Sequence, residues 1–389
     1  MIAELCPDGV EYRSLGKVAA YVKAKVEATN MNAETYTSVE NLVKGYGGRV
    51  PAESIPKAGA CTEVNPGDVL LGNIRPNLRK AWLADKHGGA SNDVLVIRLN
   101  SAELMHPRYL YYVITGSSFT EYNIQYMRGA KMPRGNKAKI LEFEIPVPPM
   151  EIQQEIVRIL DSFAELEAEL EAELEARKTQ YAYYRDKLLE FERERVEWLT
   201  LGSFAGYVKA KRGVYELNAS TYTSVENLVK DYEGRIPALS IPGEGKCTGV
   251  RPGDILLGNI RPNLKKAWLS DSEGGASNDV LVIRTNPGSP VTPRYLYYVI
   301  TGSKFTNYNI QFMRGAKMPR GDKSKIMAFK IPVPPIEEQE RIVAILDKFS
   351  ALTTSLTDGL PAEIEVNRKR YEYYRDKLLN FPRKEGAVA

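Results

Sequence analysis

Three short segments rich in basic side chains each occur twice. In one segment the basic residues follow a tyrosine, and in the other two they are mixed with glycine, proline or asparagine. The segments are YVKAK (21–25) and YVKAKR (207–212), GNIRPNLRKAW (72–82) and GNIRPNLKKAW (258–268), and MRGAKMPRG at 127–135 and 313–321. Arginine, lysine and asparagine donate hydrogen bonds to phosphates and base edges. Any one segment alone is more typical of an ordinary solvated loop, but their joint recurrence predicts nucleic-acid contacts. The candidate side chains are Lys23, Lys25, Asn73, Arg75, Asn77, Arg79, Lys80, Arg128, Lys131, Arg134, Lys209, Lys211, Arg212, Asn259, Arg261, Asn263, Lys265, Lys266, Arg314, Lys317 and Arg320.

The residues that most often carry catalysis or hold metals are scarce. The chain has two histidines and three cysteines. Three cysteines do not supply the paired spacing of a zinc site or a disulfide framework, so we expect buried free thiols and no metal. The sequence contains no GxGxxG after a strand, no Asn-Pro-Pro-Tyr motif and no GxxxxGK(S/T) loop. These features favour a binding protein without catalytic residues or a cofactor of its own.

An internal repeat organises the chain. A shift of 186 residues aligns 11–149 with 197–335 without a gap, and roughly seven in ten positions are identical, which is typical of a duplicated domain. Glu273 and Thr292 replace the two histidines in the second copy, so we expect both histidines to be incidental surface residues. The repeat predicts globular domains at 1–148 and 196–334, a long helix at 149–195, and a helical segment at 335–389.

Each globular copy leads into a predicted helix. IPVPPMEIQQEIVRILDSF (145–163) and IPVPPIEEQERIVAILDKF (331–349) place a Pro-Pro pair and acidic residues ahead of apolar periodicity. The first helix has the four-three spacing of a coiled coil. Its acidic middle, AELEAELEAELEA, is either a solvated helix face or a docking surface. In the second helical segment, Gly359 and Pro361 predict a break near 357–361.

The globular copies show a mixed α/β (α+β) pattern. Strand-like runs such as 68–74 and 92–99 are bounded by glycine, proline and asparagine. The tyrosines of RYLYYVITGSSF (108–119) have helical spacing, and we expect them in the core rather than stacked on bases. The net charge of +4 is too small to argue for nucleic acid by itself. We expect a cytoplasmic protein without a signal peptide or a membrane span.

The sequence resembles the specificity subunits of type I restriction-modification systems over essentially its whole length. The resemblance lies in the opening ELCPDGVEYRSLG, the alternation of globular domain and helix, the IPVPP(M/I)E(I/E)Q segments and the closing YYRDKLL (373–379). It implies two target recognition domains that bind double-stranded DNA, and helices that pack as an antiparallel coiled coil with pseudo-twofold symmetry. It also implies two modification subunits carrying S-adenosylmethionine, and restriction subunits carrying ATP-driven motors.

Two expectations go beyond the resemblance. Because most candidate segments are the same in both copies, two domains related by a pseudo-twofold axis would read a nearly palindromic, bipartite target. The differences at 26–31 against 212–217, and at 57–60 against 243–246, could alter one half-site. The four-residue AELE units are each about 6 Å of helix, so they could set the unread gap.

Two other functions compete with this interpretation. A stand-alone DNA-binding regulator acting as a covalent pseudo-dimer would use the same two arms without a methyltransferase. An enzyme with fused specificity and an unfamiliar active site would need catalytic motifs that the sequence lacks. The two long helices favour a scaffold that docks partner subunits.

Overall fold

A computed structural model describes residues 6–354 and 359–384, which form two compact units. The first unit contains the described residues up to Ala168 together with those from Glu365 onward. The second unit runs from Glu169 to Ile364. Each unit therefore combines one globular domain with helical segments from both helical regions of the chain.

The first domain is built on two four-stranded sheets and a terminal strand pair. One sheet has the order β2 (Ala19–Tyr21), β9 (Val94–Leu99), β6 (Val69–Gly72), β7 (Ala81–Leu83). The other sheet has the order β3 (Lys25–Glu27), β5 (Ala60–Val64), β8 (Gly88–Ala90), β4 (Tyr36–Thr37). β1 (Glu11–Ser14) pairs antiparallel with β10 (Glu144–Val147). Helices α1 (Leu15–Val18), α2 (Pro107–Thr115), α3 (Ser117–Gln125) and α4 (Lys137–Glu142) complete the domain.

The apolar runs fall into a core with separate layers. Alternate residues of β9 face opposite sides of their sheet, as a strand requires. Leu95 and Ile97 pack with α2 and with the start of the long helix. Val94 and Val96 pack with Val64 in a second cluster. The strand is therefore buried on both faces, which explains its continuous apolar sequence.

The second domain repeats this architecture element by element. Its sheets have the orders β12 (Ala205–Tyr207), β19 (Val280–Thr285), β16 (Ile255–Gly258), β17 (Ala267–Leu269), and β13 (Lys211–Gly213), β15 (Lys246–Val250), β18 (Gly274–Ala276), β14 (Tyr222–Thr223). β11 (Glu197–Thr200) pairs with β20 (Lys330–Val333). Helix α5 (Met150–Leu188) precedes this domain in the chain. The helices of the domain are α6 (Leu201–Phe204), α7 (Pro293–Thr301), α8 (Ser303–Gln311) and α9 (Lys323–Ala328).

The long helices begin where the Pro-Pro segments predict. Helix α5 extends over Met150–Leu188 and α10 over Ile336–Thr354. α5 ends at Leu188 rather than near 195, because the chain must turn to enter β11, which pairs along β20. α11 (Leu360–Leu378) has Pro361 in its first turn. The predicted break near 357–361 falls partly on 355–358, which lie outside the described residues.

The glutamine four residues after each IPVPP sequence joins the long helix to its domain by hydrogen bonds. Gln153 is fully buried; its Oε1 accepts from the backbone N–H of His106, and its Nε2 donates to the carbonyl groups of Leu104 and Pro148. Gln339 makes the corresponding bonds with Thr292, Pro290 and Pro334. The amide satisfies three backbone groups that burial would otherwise leave unpaired.

The YYRDKLL segment occurs at 183–189 and at 373–379, and each copy contacts a globular domain from a helix that is distant in sequence. In the first unit, Asp376 of α11 accepts hydrogen bonds from the backbone N–H and the hydroxyl of Ser117, at the start of α3. In the second unit, Asp186 of α5 accepts from the backbone N–H of Ser303 at 3.0 Å. A carboxylate there satisfies free N–H groups and complements the helix dipole. The segment thus acts as a helix cap supplied by another element.

We expect Asp376→Asn to lower the free energy of unfolding at pH 7 by about 1–2 kcal/mol, with allowance for partial exposure. Burial acts to raise the pKa of Asp376, but the hydrogen bonds from Ser117 and the charge of Arg375 outweigh it and lower that pKa. A carboxyl group whose pKa is lowered in the folded state stabilises the protein fully at pH values above its ordinary, unfolded-state pKa. This stabilisation is lost as the pH falls through the pKa of the folded state. Urea unfolding at neutral and at acidic pH measures the difference, which should shrink in acid.

The exposed Glu372 lies on the same helix and provides a matched control. Glu372→Gln should leave the unfolding free energy nearly unchanged at both pH values. An equal loss in the Asp376 and Glu372 variants would show that the Ser117 contact contributes nothing specific.

Candidate nucleic-acid interface

The second and third basic segments of the first domain lie against each other. The backbone N–H of Arg75 donates to the carbonyl of Pro133 at 2.7 Å, and that of Gly135 donates to the carbonyl of Asn73 at 3.2 Å. Ile74 and Arg134 form an isolated antiparallel bridge between these bonds. Loops separated by the whole of α2 and α3 therefore form one backbone-bonded surface.

The first basic segment joins the same surface through a shared turn. Lys25 donates from Nζ to Thr62 Oγ1 at 3.1 Å and to Asn92 Oδ1 at 3.2 Å. The next residue, Asp93, pairs with Arg134 at 3.1 Å. All three segments predicted from sequence thus meet in the first domain. We call residues 23–25, 75–79 and 128–134 the reader surface.

The second domain has an equivalent reader surface at 209–211, 261–265 and 314–320. Lys211 lies 3.4 Å from Asn278 Oδ1, and Arg320 lies 3.0 Å from Asp279. The backbone N–H of Arg261 donates to the carbonyl of Pro319 at 2.7 Å. The same loop contacts therefore form twice from the duplicated sequence.

Two basic residues in each copy have backbone angles that side chains rarely adopt. Arg75 and Arg79 have φ values of 51° and 52° and flank the short 3₁₀ turn Pro76–Leu78. Arg261 and Lys265 have φ values of 52° and 51° around Pro262–Leu264. Left-handed non-glycine residues are uncommon, cost energy and often occur at functional sites. This conformation holds all four side chains exposed on the reader surface.

Four candidate side chains make structural contacts within the domains: two are buried, and two are half-buried and bonded to backbone carbonyl groups. Asn73 and Asn259 are buried. Lys80 and Lys266 donate to the carbonyl groups of Val39 and Val225 at 2.6 and 2.7 Å. Burial, followed by the charge of a neighbouring lysine, lowers the pKa of both ammonium groups. These four residues build the loops and are removed from the proposed contact set.

Arg212 is half-buried and paired with Glu216 at 2.8 Å and Glu273 at 3.7 Å, so it is also a poor contact residue. The remaining candidates share exposure to solvent. They are Lys23, Lys25, Arg75, Asn77, Arg79, Arg128, Lys131 and Arg134 in the first domain, and Lys209, Lys211, Arg261, Asn263, Lys265, Arg314, Lys317 and Arg320 in the second.

The loop formed by the third basic segment (127–135) packs against two buried asparagines. The side-chain oxygens of Asn73 and Asn123 are buried without a hydrogen-bond partner, and both point at the α-carbon of Gly135. A methyl group at Gly135 would lie 2.8 and 2.7 Å from them. Asn259, Asn309 and Gly321 repeat the arrangement. Glycine is therefore required where this loop returns to the domain.

An apolar surface lies beside the reader surface of the second domain and was not predicted from the sequence. In the second domain, Arg261, Asp279 and Met318 face Ile236 and Leu239 across an open cleft of about 700 Å³. Leu239 is 98% exposed, and Glu53 occupies its place in the first copy. The available signal was an apolar residue at a loop position where the duplicate carries a charge.

The structure locates the cysteines, two of the core tyrosines and one histidine about which expectations were drawn from the sequence. All three cysteines are free and buried, and Tyr109 and Tyr112 lie in the core, as expected. His106 is half-buried before α2 rather than on the surface, and burial followed by the charge of Arg108 lowers its pKa. Within residues 6–354 and 359–384, no cluster of three or more His, Cys, Asp or Glu residues could hold a metal. No helix in these ranges is long and apolar enough to cross a membrane.

Comparisons with known proteins agree with this architecture. A family model for the type I restriction modification DNA specificity domain matches residues 9–176 and 207–366. A putative type I restriction enzyme specificity subunit of Haemophilus influenzae is 34% identical over 307 residues, which cover 75% of this chain and 76% of the relative. The Escherichia coli EcoR124I/EcoR124II specificity subunit is 37% identical over 268 residues, or 62% of this chain and 64% of the relative.

Solved structures share the fold. A chain from a structure described as the basis of complex assembly and conformational transition of the type I R-M system has a TM-score of 0.65 at 17% identity, and covers 96% of this chain and 98% of its own length. The S subunit from Mycoplasma genitalium has a TM-score of 0.52 at 14% identity, covering 95% and 96%. The present chain belongs to the type I restriction-modification specificity family, with two specificity domains in a mixed α/β fold.

Proposed function

We propose that this chain recognises a bipartite DNA target and directs the modification and restriction subunits of a type I system to it. The main observation in support of this proposal is that three basic segments, separate in sequence, meet on one exposed surface in each domain. Exposed arginines and lysines on loops can bind phosphates and donate to guanine in the major groove. The family assignment supports DNA as the ligand.

The chain contributes recognition, and its partners contribute the chemistry. Two modification subunits would supply S-adenosylmethionine for methyl transfer, and restriction subunits would supply ATP-driven translocation and cleavage. The helical segments, which we propose to form the antiparallel coiled coil, would dock the modification subunits. Co-purification with a methyltransferase subunit, followed by DNA binding with and without it, tests this role. Sequence-selective binding by the isolated chain with no methyltransferase association would favour the stand-alone regulator.

The two domains are proposed to read nearly the same half-site in inverted orientation. The sixteen exposed candidates form eight equivalent pairs, and seven of these pairs are identical, with Arg79 and Lys265 the exception, as expected for a duplicated domain. Identical side chains on identical loops form the same hydrogen bonds with the same bases. A pseudo-twofold relation between the domains, which the family resemblance implies, would invert one half-site relative to the other.

Helix α5 is proposed to set the unread gap between the half-sites. The AELE units occupy 164–167, 168–171 and 172–175 within this helix, each contributing about 6 Å at 1.5 Å per residue. DNA rises about 3.4 Å per base pair. Deleting 168–171 should shorten the preferred gap by about one or two base pairs. Selection of target DNA by the deletion variant complex measures the new gap.

A length-preserving replacement of 168–171 by AALA is the matched control, since it removes the charges and keeps the helical rise. It should retain the original gap. If the deletion variant selects the original gap with unchanged affinity, the AELE units do not determine spacing. A lower affinity combined with a shorter gap would fit the change in helical phase that four residues produce.

A further inference from the structure

Two segments that differ between the domains are apart in sequence but adjacent in the fold. Residues 26–31 differ from 212–217 at every position, and 57–60 differ from 243–246 at three of four positions. In the first domain, β3 pairs with β5 so that Val26 lies opposite Cys61 and Glu27 opposite Ala60. The same register places Gly213 opposite Lys246 in the second domain. These two segments therefore meet at one end of one sheet.

A further difference lies in a segment that packs against this end of the sheet. The sequences PAESIP (51–56) and PALSIP (237–242) are identical apart from Glu53 and Leu239. The flanking Ala52 packs with Ala28 and Cys61, and Ala238 packs with Val214 and Cys247. We define the variable lobe as 26–31, 53 and 57–60 in the first domain, and 212–217, 239 and 243–246 in the second.

The two lobes hold Glu53 and Leu239 on equivalent backbones. Asn41 Nδ2 donates to the carbonyl of Pro51 at 3.3 Å, and Asn227 Nδ2 donates to that of Pro237 at 3.4 Å. The N–H groups of Ala52 and Ala238 donate to the carbonyls of Ala33 and Ala219, both at 2.8 Å. Glu53 and Leu239 are both exposed, so their side chains differ while their positions match.

The variable lobe borders the reader surface. Lys25 belongs to the reader surface, immediately precedes the lobe, and bonds to Asn92, whose neighbour Asp93 pairs with Arg134. In the second domain, Leu239 lines the same cleft as Arg261 and Met318. DNA that contacts the basic loops of the second domain would therefore also meet Leu239.

We propose that Glu53 and Leu239 make the two half-sites differ at one base-pair position. The carboxylate of Glu53 can accept a hydrogen bond from the N4 amino group of cytosine, whereas the apolar Leu239 suits the methyl group of thymine. The first domain then prefers cytosine, and the second prefers thymine, at equivalent positions of otherwise matching half-sites. This inference rests on the proposed function.

The test uses the full chain in complex with its modification subunit and a random DNA pool. The unmodified complex selects half-sites that differ at one position. Glu53→Leu converts the cytosine of one half-site to thymine, with a change in base preference of about tenfold or more, and makes the target symmetric. Leu239→Glu makes the opposite change in the other half-site. Because both residues are exposed, neither substitution disturbs the core.

Glu103→Leu is the matched control, because it makes the same chemical change on an exposed loop ahead of α2, outside the variable lobe. It leaves the target unchanged. Identical half-sites for the unmodified complex, or an unchanged target for both Glu53→Leu and Leu239→Glu, would overturn the assignment of these residues while leaving DNA recognition intact. Absence of any sequence-selective enrichment would instead overturn the proposed function and this inference with it.

Discussion

The double variant Arg75→Gln, Arg261→Gln is expected to bind its target DNA about a hundredfold more weakly than the unmodified chain, or weaker still. Both arginines are exposed, and their left-handed backbone projects them from the reader surface. A lost bidentate contact to a base costs about 1–3 kcal/mol. Because the two residues lie in separate compact units, their effects should add. Titration of labelled target DNA at fixed salt measures the loss.

Two surface arginines outside the reader loops provide the control for charge alone. Arg13 pairs with Glu11 at 2.8 Å, and Arg195 pairs with Glu192 at 2.7 Å. Arg13→Gln, Arg195→Gln removes the same net charge and should change affinity only slightly. Each single reader variant should weaken recognition of one half-site. Equal affinities for the reader and control variants would mean that Arg75 and Arg261 do not contact DNA.

Adding a methyl group at both Gly135 and Gly321 should also weaken DNA binding, with a smaller effect on the free energy of unfolding. In Gly135→Ala the new carbon would meet the buried oxygens of Asn73 and Asn123 within 3 Å, and in Gly321→Ala it would meet Asn259 and Asn309 at 3.0 and 2.6 Å. The loop must shift to relieve this overlap, at a cost of about 1–3 kcal/mol. We expect affinity to fall at least about tenfold, since a displaced loop loses its base contacts.

Gly206→Ala serves as the control, because nothing lies within 4 Å of the added carbon and the first copy already has Ala20 there. It should leave affinity and unfolding unchanged. DNA affinity and urea unfolding are measured on each variant. If Gly135→Ala, Gly321→Ala folds and binds as the unmodified chain does, the asparagine pair does not set the position of the loop.

Much of the architecture could be predicted from sequence because the repeat has no gap. Domain copies, helix starts at the Pro-Pro pairs and the core position of Tyr109 follow from local patterns. The basic segments were also identifiable, since arginine and lysine among glycine and proline indicate exposed loops. Their meeting on one surface was not predictable, because it depends on backbone pairing such as that between Ile74 and Arg134.

The sequence was least informative where a polar residue performs a structural role. Asn73 and Lys80 belong to the same motif as Arg75, yet one is buried and the other is bonded to a carbonyl from a distant loop. A sequence pattern does not distinguish a side chain that faces solvent from one that turns inward. The variable lobe was likewise hidden, because the register of β3 with β5 brings its segments together only after folding.

The most direct test of DNA recognition is selection from a random DNA pool by this chain co-purified with its modification subunit, followed by sequencing of the enriched DNA. We expect two inverted, nearly identical half-sites separated by a fixed gap. Sequence-independent binding would contradict recognition of a DNA target, and enrichment of two unrelated half-sites would contradict the matching of the two domains.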